Sequence, residues 1–231
     1  MHSAHGAATP MDVPVKLDLA KNRGEREVDP LEYQAIVGSL MYIALATHLT
    51  VAKRVLRYLK STAHHRLHFS NSESNTGITG YTDSDWANDS ADRKSQGGHV
   101  FILNNGAISW QSRKQDLVAA STTEAEYIAC SEASREARWL RQLQRDVSGI
   151  IQLPPTPIYT DSQGALTHIT TGISKARTKH IDVCYHNSRN LHEQGIVKYD
   201  YINTNDNPAD ILTKALARDK HEKFARAMGV W

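Results

Sequence analysis

The second half of the chain alternates short β-prone runs with stretches of helical spacing, and that alternation predicts most of its elements. Gly77–Asp83, Gly98–Leu103 and Ala107–Gln111 read as strands, the last two joined by Asn104-Asn105-Gly106, a strong hairpin signal. From Thr122 to about Val147 apolar residues recur at helical spacing, and Ser121-x-x-Glu124 supplies a capping box at the start. Pro154-Pro155 breaks the chain before a buried strand at Pro157–Thr160, and a helix follows to about Ile169. Asp182–Gln194 reads as helix and Ile196–Ile202 as a strand, and Pro208 opens a C-terminal helix with Asp210 in its first turn. The order β-β-β-α-β-α-α-β-α predicts an α/β domain built on a mixed sheet.

The first seventy residues follow a different pattern. Met1–Asp29 is polar and without period, a flexible leader by composition. Asp29-Pro30 resembles a helix start, and Leu31–Leu59 favours helix in two pieces broken near Ala46–Thr50. Val51, Val55, Leu56 and Leu59 make one apolar stripe, while Lys53, Arg54, Arg57 and Lys60 make a basic face: a solvated surface or a nucleic-acid backbone contact. Ser70–Thr76 is a linker by composition. The expected organisation is therefore a leader (1–29), a helical appendage (30–69), the α/β domain (77–217) and a helical tail (218–231).

Composition narrows the function classes only a little. With 231 residues the chain can bury one well-packed domain plus an appendage. A formal charge of +2 does not by itself point to nucleic acid. Two cysteines, Cys130 and Cys184, give no disulfide framework, and the twelve histidines fall in no zinc spacing. The longest apolar run, Ile36–Ala46, is too short to span a bilayer and no signal peptide opens the chain, so an intracellular protein without a membrane partner is expected.

The candidate chemistry lies in acids at element edges. Tyr81-Thr82-Asp83 and Tyr159-Thr160-Asp161 repeat one local grammar, a strand delivering a carboxylate at its end. On a helical wheel with Glu124 at zero and about 100° per residue, Ala125, Ala129, Ala133, Ala137 and Leu140 fall between about 100° and 220°. Glu126 falls among them, at about 200°, and Glu124 points away to cap the helix. A buried lone carboxylate is costly, so Glu126 needs a metal ion or another acid sharing one. Glu136 lies in the same arc and reads as an ion-pair partner for a neighbouring arginine. With Asp210, the acids form one expected metal-binding cluster of Asp83, Glu126, Asp161 and Asp210, Asp85 being an alternative to Asp83. Trp86 and Trp110 read as core residues, with stacking on sugar or base the other option.

YTDSDWAND, RKSQGGHVF, ISWQSRKQ, STTEAEYIA, IYTDSQGAL, RTKHIDVCYH and NPADILTK, in this order over Gly77–Leu216, together resemble the ribonuclease H region of copia-type retrotransposon polyproteins. YQAIVGSLMYIALAT and VAKRVLRYLKST are similar to the end of that family's reverse transcriptase and its connection segment. The resemblance implies a ribonuclease H-like five-stranded mixed sheet flanked by helices. It implies hydrolysis of the RNA strand of RNA–DNA hybrids by Asp83, Glu126, Asp161 and Asp210 with two Mg²⁺, or Mn²⁺ in their place. Asp83 would bridge both ions, Glu126 and Asp161 would serve one side, and Asp210 the side of the attacking water. Arg93, Lys94, Arg113, Lys114, Lys175, Arg177, Lys179 and His180 would contact the hybrid. Other parts of a polyprotein are further expected partners, and a cytoplasmic virus-like particle or the nucleus the expected location.

Three departures qualify this. Family members carry a further segment between the equivalents of Ala46-Thr47 and His48-Leu49, so the chain reads as a fragment or spliced remnant. No Tyr-x-Asp-Asp motif occurs, and no polymerase activity is expected of this chain. The loop Asn203–Asn207 lacks the histidine that many ribonucleases H place before the last acid. An inactive or domesticated remnant that binds nucleic acid or protein is the alternative reading.

Overall fold

The computed structural model describes residues 49–70, 77–89, 91–171 and 187–231. The chain divides into two units between His65 and Arg66. In the first, the described residues form helix α1, Leu49–Ser61, and the Ser61 and Thr62 hydroxyls donate back to the Tyr58 carbonyl at its end.

The second unit is built on five strands: β1 (Thr79–Asp85), β2 (Gln96–Leu103), β3 (Gly106–Lys114), β4 (Thr156–Thr160) and β5 (Val197–Tyr201). Their order is β3-β2-β1-β4-β5. The first three run antiparallel, joined by the loop 86–95 and a tight hairpin turn; β4 and β5 run parallel to β1, because helices cross between them. The β2–β3 turn is the expected Asn-Asn-Gly hairpin, with Asn104 and Asn105 both at positive φ (51° and 63°), as a two-residue primed turn requires. This is the flanked five-stranded mixed sheet expected of a ribonuclease H-like domain.

Helix α2 (Thr122–Ser148) crosses one face of the sheet. Its N-terminus is capped as the sequence suggests: Ser121 Oγ accepts from the Glu124 N–H at 3.2 Å, and the Glu124 side chain accepts from the Ala120 N–H. Gly149, at φ 70°, closes the other end with its N–H on the Arg145 carbonyl, a left-handed cap that suits glycine. Tyr127, Cys130, Ala133, Ala137 and Leu140 pack with Phe101, Ile158, Val197 and Tyr199 of the sheet and with Ala165 and Ile169 of α3 (Gln163–Thr171). Residues 187–193, helix α4, add Leu191 to this core. Glu136 accepts a hydrogen bond at 2.5 Å from Ser109 Oγ on β3, where an arginine was expected.

The opposite face carries a smaller cluster of Val100, Ile102 and Ala107, packed by Tyr81, Leu212 and Met228. Here one expected element is corrected. Pro208 opens a 3₁₀ turn, Pro208–Leu212, and the α-helix α5 starts only at Arg218 and runs to Ala227. At the end of the turn Ser112 Oγ of β3 donates to the Leu212 carbonyl at 2.6 Å, tying it to the sheet. After α5, Arg66 and His68 donate backbone N–H groups to the Trp231 and Gly229 carbonyls, so the chain end is pinned to residues 66–70. Trp86 and Trp110, read as core, are 42% and 61% exposed. Among the described residues no helix is long and apolar enough to cross a membrane.

Candidate metal centre

Parallel pairing sets the first two acids side by side. Tyr81 of β1 is in register with Tyr159 of β4, and their rings stack at 5.4 Å. Asp83 and Asp161 stand two residues further along each strand, so the repeated Tyr-Thr-Asp grammar becomes a pair of adjacent carboxylates. Asp210 is brought to them by the 3₁₀ turn. Asn207, fully buried, fixes that turn: its Nδ2 donates to the Thr82 carbonyl at 2.9 Å and its Oδ1 accepts from the Ala209 N–H at 3.2 Å. The turn lies close because the residue opposite Asp83 on β2 is Gly98. A Cβ there would stand 2.8 Å from Leu212 Cβ and 2.9 Å from Thr213 Cγ2.

One carboxylate oxygen from each of Asp83, Asp161 and Asp210 lies within 4.8 Å of the other two. Among the described residues this is the group of acids placed to share a metal ion, and Asp85 is not in it. Glu126 stands beside it on α2, close enough for the charges of Asp83 and Asp161 to act on it. Its Oε1 accepts from the Ser84 N–H at 3.1 Å, whereas its buried Oε2 has no hydrogen-bond partner.

Burial and crowding act strongly on these acids. Burial pushes Asp83 up to about 6; the Thr213 hydroxyl, which donates to its Oδ2, and the Lys214 charge pull it down, and Asp210 and Asp161 add to the rise. Burial, then the charges of Asp83 and Asp161, push Glu126 well above the usual carboxylate range, against the Ser84 N–H and Lys214. Two lysines reach Asp210. Lys214 Nζ is 3.0 Å from Oδ1, close enough for an ion pair though not aligned for a hydrogen bond, and 3.4 Å from Asp83 Oδ2. Lys220 Nζ donates to Asp210 Oδ2 at 2.6 Å.

The donor set fits a hard divalent cation: all oxygen, converging, with two buried carboxylate oxygens, Glu126 Oε2 and Asp210 Oδ1, lacking a hydrogen-bond partner. The sequence did not single out Asn207, Gly98, Thr213, Lys214 or Lys220. The Asp210-to-Lys214 spacing of four is a signal that could have found Lys214; nothing local points to Lys220, ten residues on.

The expected nucleic-acid contacts are only partly described. Lys175, Arg177, Lys179 and His180 lie outside the described residues. Lys114 is paired with Asp89 at 2.5 Å and Asp92 at 2.8 Å, and Arg113 with Asp116 at 2.9 Å. Arg93 is exposed at a positive φ of 59°, with Lys94 half-buried beside it.

No family model matches the chain. It is 36% identical over 257 positions to the retrovirus-related Pol polyprotein from transposon TNT 1-94 of Nicotiana tabacum, covering 100% of this chain and 19% of that protein. It is 35% identical over 250 positions to the Pol polyprotein from transposon RE1 of Arabidopsis thaliana, covering 100% of this chain and 17% of that protein. Both alignments are longer than the chain's 231 residues, so it lacks residues that these relatives carry. A solved structure with some likeness is the N-terminal RNase H domain of a Mycobacterium tuberculosis protein, with TM-score 0.43 and 14% identity, covering 65% of this chain and 99% of that one. The chain spans about a fifth of the length of the polyproteins it matches. Over its whole length the chain is thus similar to one part of the retrovirus-related Pol polyproteins of these transposons.

Proposed function

We propose that this chain is a ribonuclease H that hydrolyses the RNA strand of RNA–DNA hybrids with divalent metal ions. The observation that carries the reading is the convergence of Asp83, Asp161 and Asp210 within 4.8 Å, with the unsatisfied Glu126 oxygen beside them. These four carboxylates would hold the ions, Mg²⁺ being the hard cation that prefers such a set. Bound there, the ions would supply an activated water and neutralise charge at the phosphorus and the leaving oxygen.

The protein's own part is positional. The parallel β1–β4 pairing and the Asn207 clamp hold three carboxylates from distant segments at one point. Ser84 N–H fixes one Glu126 oxygen and leaves the other for a ligand. Thr213 orients Asp83 through Oδ2. An RNA–DNA hybrid would be recognised by groove shape and 2′-hydroxyls, with Arg93 and Lys94 in the loop after β1 as candidate contacts.

The test is cleavage of a labelled RNA–DNA hybrid in Mg²⁺ by the full chain and by Asp161→Asn. RNA cleavage that the substitution abolishes supports the reading. Hybrid binding without cleavage in either Mg²⁺ or Mn²⁺ overturns it in favour of a binding remnant.

A further inference from the structure

Asp210 is fully buried, yet each of its oxygens faces a different ammonium. Lys214 comes from the residues just after the 3₁₀ turn and Lys220 from the first turn of α5, so two elements converge on one carboxylate. Both lysine side chains remain about a third exposed, at 33% and 29%. Each ammonium can therefore return to water on its flexible stem. Lys220 Nζ also stands 5.2 Å from the Phe224 ring centroid, a favourable position that does not depend on Asp210. Glu126 Oε2, on the other side of the cluster, has no hydrogen-bond partner; Asp210 Oδ1 also has none, but Lys214 stands 3.0 Å from it.

A carboxylate oxygen that coordinates a divalent cation at about 2.1 Å has no room for an ammonium in the same place. Two cations crowded onto one acid also repel at short range. We propose that Lys214 and Lys220 are resident counter-cations of Asp210 that compete with the divalent ion for its two oxygens. Loading the site then requires release of at least one ammonium, and the lysines set the ion concentration at which it fills. In the ion-free protein the same contacts offset the burial of Asp210 and hold the 3₁₀ turn in place. The inference rests on the metal-binding reading above and adds positioning residues to it.

The test is ion affinity, measured by titration calorimetry with Mg²⁺ and Mn²⁺ on the full chain, together with the thermal midpoint with and without ion. The proteins compared are the unsubstituted chain, Lys220→Gln, Lys220→Arg and Lys214→Gln. Competition predicts that Lys220→Gln binds the ion about tenfold more tightly, as loss of one close like-charge contact would give. Its ion-free midpoint falls, its ion-induced rise grows, and Lys220→Arg returns both toward the original. Lys214→Gln shifts in the same direction, which keeps the test open if one variant folds poorly. Unchanged affinity in both glutamine variants, with midpoints lowered equally with and without ion, overturns the inference and leaves only structural ion pairs. If no protein in the set binds either ion, the metal-binding reading itself falls. Hybrid cleavage by the unsubstituted chain tells that failure from this one.

Discussion

On one side of the acid cluster, Asp210 is buried with an ammonium beside each oxygen, Lys220 in a hydrogen bond and Lys214 at ion-pair distance. On the other, Glu126 is almost as deeply buried but receives a single backbone N–H, and its second oxygen has no partner. Buried carboxylates escape their desolvation cost either by pairing with a cation or by taking up a proton. Asp210 has an ammonium beside each oxygen, whereas burial and the charges of Asp83 and Asp161 push Glu126 well above the usual carboxylate range. A cluster assembled this way is half compensated: one side holds together without an ion, and the other is organised for one.

The largest expected effect separates the two sides directly. Asp210→Asn removes the anion that two partly exposed ammoniums face, and because they can turn to water the loss of these charge-assisted contacts should cost about 1–3 kcal/mol of ion-free stability. Glu126→Gln removes a carboxylate that burial and the Asp83 and Asp161 charges disfavour, and its cost should be below about 1 kcal/mol or reversed in sign. Both substitutions should abolish ion binding and hybrid cleavage. Urea unfolding with and without Mg²⁺ measures the contrast, and equal destabilisation by the two would remove the distinction between the sides.

A second effect acts on the geometry that joins the sides. Gly98→Ala puts a methyl against Leu212 and Thr213 at distances that force the 3₁₀ turn outward. Overpacking of this kind costs about 1–3 kcal/mol. The informative readout is ion affinity, which should fall more than stability does, because Asp210 moves away from Asp83. Native affinity in the Gly98→Ala chain would mean that the turn can move without carrying Asp210.

The pH dependence follows from Asp83, whose carboxyl rises from 3.8 to about 6 on folding. Between those values the folded chain holds a proton that the unfolded chain has lost. Ion-free stability is therefore highest below about pH 4 as far as this group is concerned, and falls as pH rises through about 6, by at most about 1.4 kcal/mol per pH unit per proton. Glu126 acts in the same direction. Mg²⁺ should reverse the trend by favouring the ionised forms, so its stabilisation grows from pH 5 to pH 7. Thr213→Val, which removes a hydrogen bond that lowers Asp83, should move the fall to higher pH.

These contrasts also explain what the sequence could reveal. Asp83 and Asp161 were legible because parallel neighbours ended in the same Tyr-Thr-Asp pattern. Glu126 was legible because helical spacing set a carboxylate among alanines. The hairpin and the helix cap were legible because their chemistry is local. Asp210 was found within a motif, but its 3₁₀ turn was read as the first turn of a helix, since the residues that hold the turn against the sheet, Ser112 and Gly98, lie on distant strands. Lys220 was invisible for a similar reason, as its contact with Asp210 depends on where α5 begins. The tryptophans were misread because size and apolarity suggest a core position but cannot say which surface an indole edge must reach.

Trp86 carries the smallest expected effect and bears on the Glu126 side alone. Its Nε1–H donates at 3.0 Å to the Ala119 carbonyl, in the loop that leads into α2, while much of its ring stays exposed. Trp86→Phe keeps an aromatic ring and removes that one donor, at about 0.5–1.5 kcal/mol. Ion affinity should change by less than about threefold, because Glu126 is held independently by Ser84 and by the packing of α2 against the sheet. A larger loss of affinity would mean that the loop, not the helix, positions Glu126, and the ion-dependent side of the cluster would then rest on a surface hydrogen bond while the lysine-paired side rests on the buried Asn207 clamp.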